Sequence, residues 1–527
     1  MKNTKSDKSL KIFKCDIDSK ILYFILTFSL LISVAIVRSL DVSNFIGIFS
    51  ICIMAISILF MDIFRYKPSY LKQQKMLILL GLMFFGTLVF GRFIEYIFIN
   101  FTRGFGLQEQ KTIIYGLPVQ AGAMLVVLLF DSHTAIIFSF IISILSGIWQ
   151  NDAYYTFYVF AGSIIAAFSV IKCKKRSDLL KGGLYVSIAN VISVLVFSMF
   201  SSNRTLEIII PSLIFALTSG ITISAFTSIA LPVLESVFKV TTNITLLEYL
   251  DLNQPLMKSL MINAPGTYHH SVIVGNLVEA AAEDIGVNPL LARVSAYYHD
   301  IGKIKMPEYF IENQSSSISK HEKLTPHMSS MILISHVKEG LELADQHKLP
   351  ESVKDIITQH HGTHIITYFY QKAKEEQSDP PNEEDYRYPG PKPQNRIAAI
   401  VMIADAIEAA SRVLKDSTPA RVSGLVEKII NTVLIDGQLT ECELTLKDIN
   451  KIKERFTFIL TGILHKRVEY PGFDFNKATG TEGEKNKNIN REPQQKEKDR
   501  PATTNTPGEP GTNVIEFKKG GTSGQKG

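Results

Sequence analysis

The chain has 527 residues, of which 46% are hydrophobic and 20% are charged, and its mean hydropathy is +0.15. This composition excludes collagen, coiled-coil and disulfide-rich secreted scaffolds, and the positive mean hydropathy indicates a membrane-embedded part. The formal net charge of +5 is small for this length and gives no general argument for binding a nucleic acid polymer.

Apolar runs follow one another through the first half of the chain and predict eight membrane-spanning helices in a lipid bilayer. About 20 helical residues cross a hydrocarbon core of ~30 Å. The first run has a basic start but is too long for a signal peptide, so we interpret it as an uncleaved anchor. The predicted spans are 21–38, 46–63, 76–100, 114–131, 134–149, 153–171, 182–200 and 206–235.

Lysine and arginine residues are concentrated in three segments of this half, namely 1–20, 64–75 and 172–181. Loops that are rich in these residues stay on the cytoplasmic side of a membrane. Eight spans place all three segments on the same side. The sequence therefore predicts a multi-pass membrane protein whose N- and C-termini are both cytoplasmic.

The second half alternates amphipathic helical stretches with short polar breaks, which predicts an all-α domain over 263–470. A juxtamembrane connector is predicted at 236–262. Residues 471–527 are rich in Gly, Lys, Glu, Asn, Thr and Pro and are predicted to be disordered. The predicted fold class is all-α: an N-terminal segment 1–20, an anchor 21–38 and a seven-span membrane domain 46–235, followed by a cytoplasmic helical bundle.

Side chains that can bind a metal recur in order along this helical half. Their separations of about 25–45 residues suit one ligand set on each helix of a bundle, all pointing inward. Five imidazoles and two carboxylates suit a dinuclear site for first-row metals such as Mn or Fe, and two metals ~3.5–4 Å apart can share a hydroxide and clamp both oxygens of an in-line phosphodiester displacement. The candidate ligands are His270, His299, Asp300, His336, His360, His361 and Asp405.

Any one of these histidines, taken alone, is more often an ordinary core or surface residue. His269 and His270 are adjacent, and only one of them is needed as a ligand. Asp405 lies in an apolar helix, where an isolated carboxylate is costly to bury, so metal coordination explains it better. Four further histidines of this half are expected to have no metal role, namely His321, His327, His347 and His364.

The adjacent His299 and Asp300 are the signature pair of the HD phosphohydrolase superfamily, and the sequences around them are more specific. The chain contains APGTYHHS, HDIGKIKMPEYFIENQ, ISHVKEGLELA, ITQHHGTHIITYFY, RYPGPKPQ and MIADAIEAASRV, together with the connector LEYLDLNQPLMKSL. With the membrane spans, these sequences resemble the seven-transmembrane HD family, the PgpH-type cyclic di-AMP phosphodiesterases of bacteria, over roughly residues 46–468.

The resemblance implies hydrolysis of cyclic di-AMP to linear pApA at the bacterial cell membrane, with two divalent metal ions, Mn or Fe, and a bridging hydroxide. It implies that His270, His299, Asp300 and Asp405 hold one metal. His336, His360 and His361 would hold the second, with Asp300 bridging the two. Asp300 and Lys303 are then the predicted catalytic residues. Lys303 either neutralises a phosphate oxygen or is a solvated lysine at a helix end, and both interpretations stay open.

Other functions remain as alternatives. The protein could be a membrane receptor or scaffold whose HD domain binds a nucleotide without turnover, or it could hydrolyse another cyclic dinucleotide such as cyclic di-GMP. The GYP triad of the related cyclic di-GMP enzymes does not follow His361, which favours the adenine compound. Scarce intramembrane charge argues against a transporter. Whether the chain forms a homodimer stays open.

Overall fold

The structure is a computed structural model that describes residues 10–12, 15–17, 19–37, 41–104, 110–200, 205–314, 319–376, 380–414 and 418–464. The predicted disordered tail, 471–527, lies outside these residues, as does most of the predicted segment 1–20. The described part is helical apart from one antiparallel hairpin, in which strand β1 (Leu10–Ile12) pairs with strand β2 (Cys15–Ile17). The predicted all-α class is therefore confirmed.

The first half forms a bundle of apolar helices. Among the described residues, seven helical segments are long and apolar enough to cross a bilayer, and they lie at Val42–Tyr66, Gln74–Gly104, Thr112–Leu129, Ser132–Gln150, Ala153–Val170, Ser177–Phe200 and Leu206–Phe238. The α-helices of this half are α1 (Ser19–Ile36), α2 (Val42–Tyr66), α3 (Pro68–Lys72), α4 (Gln74–Gly104), α5 (Ala121–Leu129), α6 (Ser132–Gln150), α7 (Ala153–Val170), α8 (Ser177–Phe200) and α9 (Leu206–Phe238).

Two predicted spans differ from the structure. The span 114–131 is not one α-helix: a 3₁₀ helix, Gln110–Gly116, precedes α5, and Pro118 lies in the break between them. Proline lacks a backbone N–H and fixes φ, so the helix cannot run through this position undisturbed. The predicted anchor 21–38 is α1, whose 18 residues are near the lower limit of roughly 17 for a span. Its apolar part, Ile21–Ile36, is shorter than the seven segments above.

Helices α8 and α9 pack closely through glycine. A methyl group added at Gly220 would lie 2.0 Å from the carbonyl oxygen of Gly183, and one added at Gly183 would lie 2.4 Å from the carbonyl oxygen of Gly220. Small residues at such a crossing allow the backbones of membrane helices to approach each other, which replaces the missing hydrophobic driving force with van der Waals contact.

The second half is a separate helical bundle with its own buried apolar core. Helix α17 is buried on nearly all sides and contacts five other helices, so its nearly uniform apolar sequence reflects a central position. The helices are α10 (Asn243–Tyr249), α11 (Pro255–Asn263), α12 (Pro265–Ile285), α13 (Pro289–Tyr298), α14 (Pro326–Gln346), α15 (Glu351–Gln359), α16 (Thr367–Glu376), α17 (Arg396–Ser411), α18 (Pro419–Ile435) and α19 (Leu446–Leu464). Short 3₁₀ helices lie at Ile301–Lys305, Pro307–Tyr309, Ile311–Asn313, Lys320–Lys323 and Glu383–Tyr386.

A tight corner joins the two halves. Helix α9 ends at Lys239, which adopts a left-handed conformation with φ of 53°, and α10 begins four residues later. The Glu235 carboxylate near the end of α9 accepts a hydrogen bond of 2.8 Å from the Thr245 hydroxyl of α10. From the loop before α8, Arg176 pairs with Glu248 of α10 at 2.7 Å. The connector is therefore fixed to the membrane helices by side chains from two directions.

The far side of α10 contacts the helix that leads to the HD pair. The Tyr298 hydroxyl, at the end of α13, donates a hydrogen bond of 2.9 Å to the carbonyl of Tyr249. The Tyr249 hydroxyl in turn donates to the carbonyl of Lys348, also at 2.9 Å. Because Tyr298 directly precedes His299, the connector packs one residue away from a candidate metal ligand.

Candidate metal centre

The structure brings all seven predicted ligands together at the centre of the second bundle. They form two groups, and within each group the candidate ligand atoms lie within 4.8 Å of one another. The first group is His270, His299, Asp300 and Asp405, and the second is Asp300, His336, His360 and His361. Asp300 belongs to both groups. That these residues bind metal stays a prediction.

Asp300 turns its two carboxylate oxygens toward different groups. Its Oδ2 lies 3.3 Å from Nε2 of His299 and 3.7 Å from Nε2 of His270. Its Oδ1 lies 3.4 Å from Nε2 of His336 and 3.7 Å from Nε2 of His360. A carboxylate arranged in this way can bridge two cations.

Three histidines are held in the tautomer that a metal ligand requires. The Nδ1 atoms of His299 and His360 donate hydrogen bonds of 2.7 Å and 2.8 Å to the carbonyls of Ala296 and Ile357, each three residues earlier. His336 donates in the same way to the carbonyl of the residue three positions earlier. Since Nδ1 donates to the backbone, Nε2 is the nitrogen that remains for a metal, and the backbone fixes the ring orientation.

Buried atoms at this centre lack protein partners. Among the described residues, no hydrogen bond is made by Nε2 of His299 or by Oδ1 of Asp300, and both atoms are buried. Unpartnered buried polar atoms are rare because each costs free energy, and a bound cation would satisfy both. The donor set of imidazole nitrogens and carboxylate oxygens suits first-row divalent metals. The residues present therefore fit a pair of divalent cations.

The charges at the centre shift the pKa values of its side chains. Burial opposes ionisation of Asp300, but His299 and Lys303 hold the pKa of this carboxyl well below its usual range. Burial lowers the pKa of His336 to about 3, so this ring is neutral at physiological pH, as a ligand must be. Burial also opposes the charge on His299, but Asp300 outweighs it and raises the pKa of His299 to about 10. A cation that binds at His299 must therefore displace a proton.

Lys303 is not a solvated lysine at a helix end. Its side chain is 12% exposed, and Nζ lies 2.7 Å from Oδ2 of Asp300 and 2.9 Å from Oε1 of Glu312. The same ammonium lies 5.0 Å from the centre of the Phe310 ring. The 3₁₀ turn Ile301–Lys305 directly after the HD pair directs this side chain back to the centre. Its contact with a substrate phosphate stays a prediction.

Sequence reasoning missed three residues of the centre. Glu408 is buried and accepts a hydrogen bond from Nδ1 of His270, and Arg412 pairs with the same carboxylate at 2.9 Å. Glu408 follows Asp405 by three residues on α17, so the two lie on the same face of the helix, and this spacing could have indicated Glu408 from the sequence. Glu312 lies in a three-residue 3₁₀ helix and Tyr388 in an irregular segment, and neither is long enough for a periodic pattern to indicate which side chains point inward.

The adjacent His269 and His270 differ in burial. His270 is buried and His269 is exposed, so His270 is the member of the pair that reaches the centre. His321, His327, His347 and His364 belong to neither ligand group. Two of them have other partners: His364 pairs with Asp436 at 2.9 Å, and Nε2 of His321 donates to the carbonyl of Tyr309 at 2.8 Å.

Comparison with known proteins gives matches in both halves. Residues 42–242 match the family described as 7TM receptor with intracellular HD hydrolase, and residues 267–410 match the HD domain. The chain is 40% identical to the cyclic-di-AMP phosphodiesterase PgpH of Bacillus subtilis over 70% of its own length and 53% of that protein. It is 37% identical to the protein of the same name from Listeria monocytogenes, over 69% of its own length and 51% of that protein.

The chain thus spans about half the length of these curated relatives. A crystal structure of the L. monocytogenes phosphodiesterase PgpH HD domain in complex with cyclic-di-AMP is 47% identical in sequence. The match covers 40% of this chain and 98% of that one, with a TM-score of 0.39.

Proposed function

Because the chain belongs to the family of 7TM receptors with an intracellular HD hydrolase, we propose that it is a membrane-bound, metal-dependent phosphodiesterase. The proposed reaction is hydrolysis of cyclic di-AMP to linear pApA. The observation that carries this proposal is the pair of ligand groups that share Asp300. Two curated relatives that bear the name cyclic-di-AMP phosphodiesterase support the substrate.

The two ligand groups are proposed to hold two divalent cations, Mn or Fe. Bound there, the cations would supply Lewis-acid stabilisation of a phosphate oxygen and would lower the pKa of water to near neutrality. Asp300 joins the two groups, the neutral His336 offers Nε2, and Glu408 orients His270 through its Nδ1. Lys303 keeps its positive charge beside Asp300, where it can face a phosphate oxygen.

Charge balance supports the need for cations. Asp300, Asp405, Glu312 and Glu408 place four carboxylates at the centre, and the only basic partners among their described contacts, other than histidine, are Lys303 and Arg412. Even when His299 is protonated, these groups leave no excess positive charge that could attract an anionic dinucleotide. Two divalent cations would make the local charge positive and favour binding of the substrate.

We expect the full-length protein, reconstituted in lipid nanodiscs with Mn²⁺, to convert cyclic di-AMP into linear pApA. The protein is incubated separately with cyclic di-AMP and cyclic di-GMP, and the products are separated by chromatography, with Asp300→Ala as the blank. Cleavage of cyclic di-GMP alone would support the proposed phosphodiesterase reaction but show that cyclic di-AMP is the wrong substrate. Nucleotide binding without turnover of either compound would favour the receptor alternative.

For the membrane topology, we propose a cytoplasmic HD domain with both termini cytoplasmic in the bacterial cell membrane. The basic segments 64–75 and 172–181 support this orientation. The division into a membrane domain 46–235, a connector 236–262 and an HD domain 263–470 is part of the proposal.

We expect trypsin to remove the lysine-rich segment 466–527 from inside-out membrane vesicles and to leave it intact in right-side-out vesicles. Immunoblotting of a C-terminal epitope reads out this cleavage. If trypsin leaves this segment intact in inside-out vesicles, the proposed orientation is wrong.

A further inference from the structure

Among the described residues, two of the seven candidate ligands are partly exposed to solvent. The side chains of five candidate ligands are at most 5% exposed, and these are His270, His299, Asp300, His336 and His360. The His361 side chain is 22% exposed and that of Asp405 is 13% exposed. A substrate must therefore approach from the side where His361 and Asp405 lie.

Tyr388 lies on this open side. Its ring stacks on the ring of His361, with 4.2 Å between the centroids and an angle of 24° between the planes. It also meets the edge of His336 at 6.1 Å. Its backbone N–H donates a hydrogen bond of 3.0 Å to the carbonyl of His364, which anchors the segment that carries it. The tyrosine thus contacts two ligands of the second group, the partly exposed His361 and the buried His336.

The hydroxyl of Tyr388 is a donor without a protein acceptor. Within the part of the chain that the structure describes, this hydroxyl makes no hydrogen bond, and the residue is half-buried. The nearby ammonium of Lys303 is less available to a substrate phosphate, because it is paired with both Asp300 and Glu312. A neutral donor at the mouth can bind an anionic oxygen without competing with these ion pairs.

We propose that Tyr388 contacts the substrate, with its hydroxyl donating a hydrogen bond to a phosphate oxygen of the cyclic dinucleotide while its ring holds His361 in place. This inference rests on the proposed function, since it takes a cyclic dinucleotide as the substrate. It assigns two separable roles to one side chain. The hydroxyl acts on the substrate, and the aromatic ring acts on a candidate metal ligand.

Two substitutions separate these roles. Tyr388→Phe keeps the ring and removes the hydroxyl, whereas Tyr388→Ala removes both. A hydrogen bond to a charged group corresponds to roughly a 10- to 100-fold change in an equilibrium constant. We therefore expect Tyr388→Phe to raise KM for cyclic di-AMP at least tenfold with full metal content and a smaller change in kcat. Tyr388→Ala should also weaken metal binding.

The matched control is Tyr386→Phe. Tyr386 lies two residues earlier on the same segment, but its ring packs with Phe369 and Ala373, away from the ligand groups. This variant should retain the KM and metal content of the wild type. All variants are studied as full-length protein in nanodiscs, with metal content measured by mass spectrometry and cyclic di-AMP binding measured by calorimetry alongside turnover.

The outcomes distinguish this inference from the proposed function. If the wild type cleaves cyclic di-AMP and Tyr388→Phe has an unchanged KM, the substrate contact is wrong although the function stands. If the wild type binds cyclic di-AMP without cleaving it and Tyr388→Phe weakens binding, the contact stands and the proposed reaction is wrong. Wild-type metal content in Tyr388→Ala would overturn the role of the ring. A wild type that neither binds nor cleaves the dinucleotide would overturn both proposals.

Discussion

Replacement of Asp300 with alanine is expected to abolish turnover and the binding of both metal ions. Asp300 is the one residue common to the two ligand groups, and its two oxygens face different histidines. Its loss leaves the ammonium of Lys303 buried beside histidines without its closest carboxylate. Each group loses a ligand oxygen, and the Lys303 ammonium, still paired with Glu312, then repels incoming cations, so metal affinity should fall by more than the roughly 10- to 100-fold that follows loss of a residue that only orients a ligand.

The measurement is metal content per protein chain, determined by mass spectrometry on full-length protein after dialysis against Mn²⁺. His321→Ala is the control, because His321 belongs to neither ligand group and packs against Phe369 instead. Its metal content should equal that of the wild type. An Asp300→Ala protein with unchanged metal stoichiometry would contradict the ligand assignment, and loss of metal in His321→Ala would show that the ligand set is incomplete.

Gly302→Ala is expected to be the most destabilising small substitution near the centre. A methyl group at this position would lie 1.8 Å from the carbonyl oxygen of His336 and 2.5 Å from the backbone nitrogen of Gly340. Both neighbours are backbone atoms of α14, so no side-chain rotation can relieve the clash. The helix must move away, and it carries His336 with it.

Overpacking of this kind costs about 3 kcal/mol, which for a domain of this size lowers Tm by roughly 6–12 °C. Metal content should fall as well, because the second ligand group loses its geometry. Gly424→Ala is the matched control: it lies inside α18, and nothing lies within 4 Å of the added methyl group. Alanine favours a helix over glycine by up to about 1 kcal/mol, so this variant should be unchanged or slightly more stable. Equal melting temperatures for the two variants would refute the clash.

The seven candidate ligands could be listed from the sequence because they recur in order along the helical half, and their division into two groups came from the family resemblance. Asp405 sits in an apolar helix, where a lone carboxylate needs an explanation beyond packing, whereas each histidine was informative only as a member of the ordered set. The helical class followed from periodicity in the same way. Residue type and periodicity are properties of short stretches of chain, so they can be recognised in a single sequence.

The features that were missed depend on contacts between distant segments. For Lys303 the sequence left two interpretations open, a contact with phosphate or a solvated helix-end lysine, and only its contacts with Asp300 and Glu312 exclude the second. Tyr388 comes from an irregular segment and reaches His361 only through the fold. The broken span at Pro118 is different, since the proline was present in the sequence and its effect on the helix could have been recognised.

The corner between α9 and α10 restricts how the second helical bundle can move relative to the apolar helices. A flexible linker would let a catalytic domain rotate freely, but here Glu235, Arg176 and Tyr249 fix the connector on both sides. At its other end the connector accepts, through the carbonyl of Tyr249, a hydrogen bond from Tyr298, the residue before His299. Any change in the tilt of α9 must therefore either break one of these bonds or displace the helix that carries the HD pair.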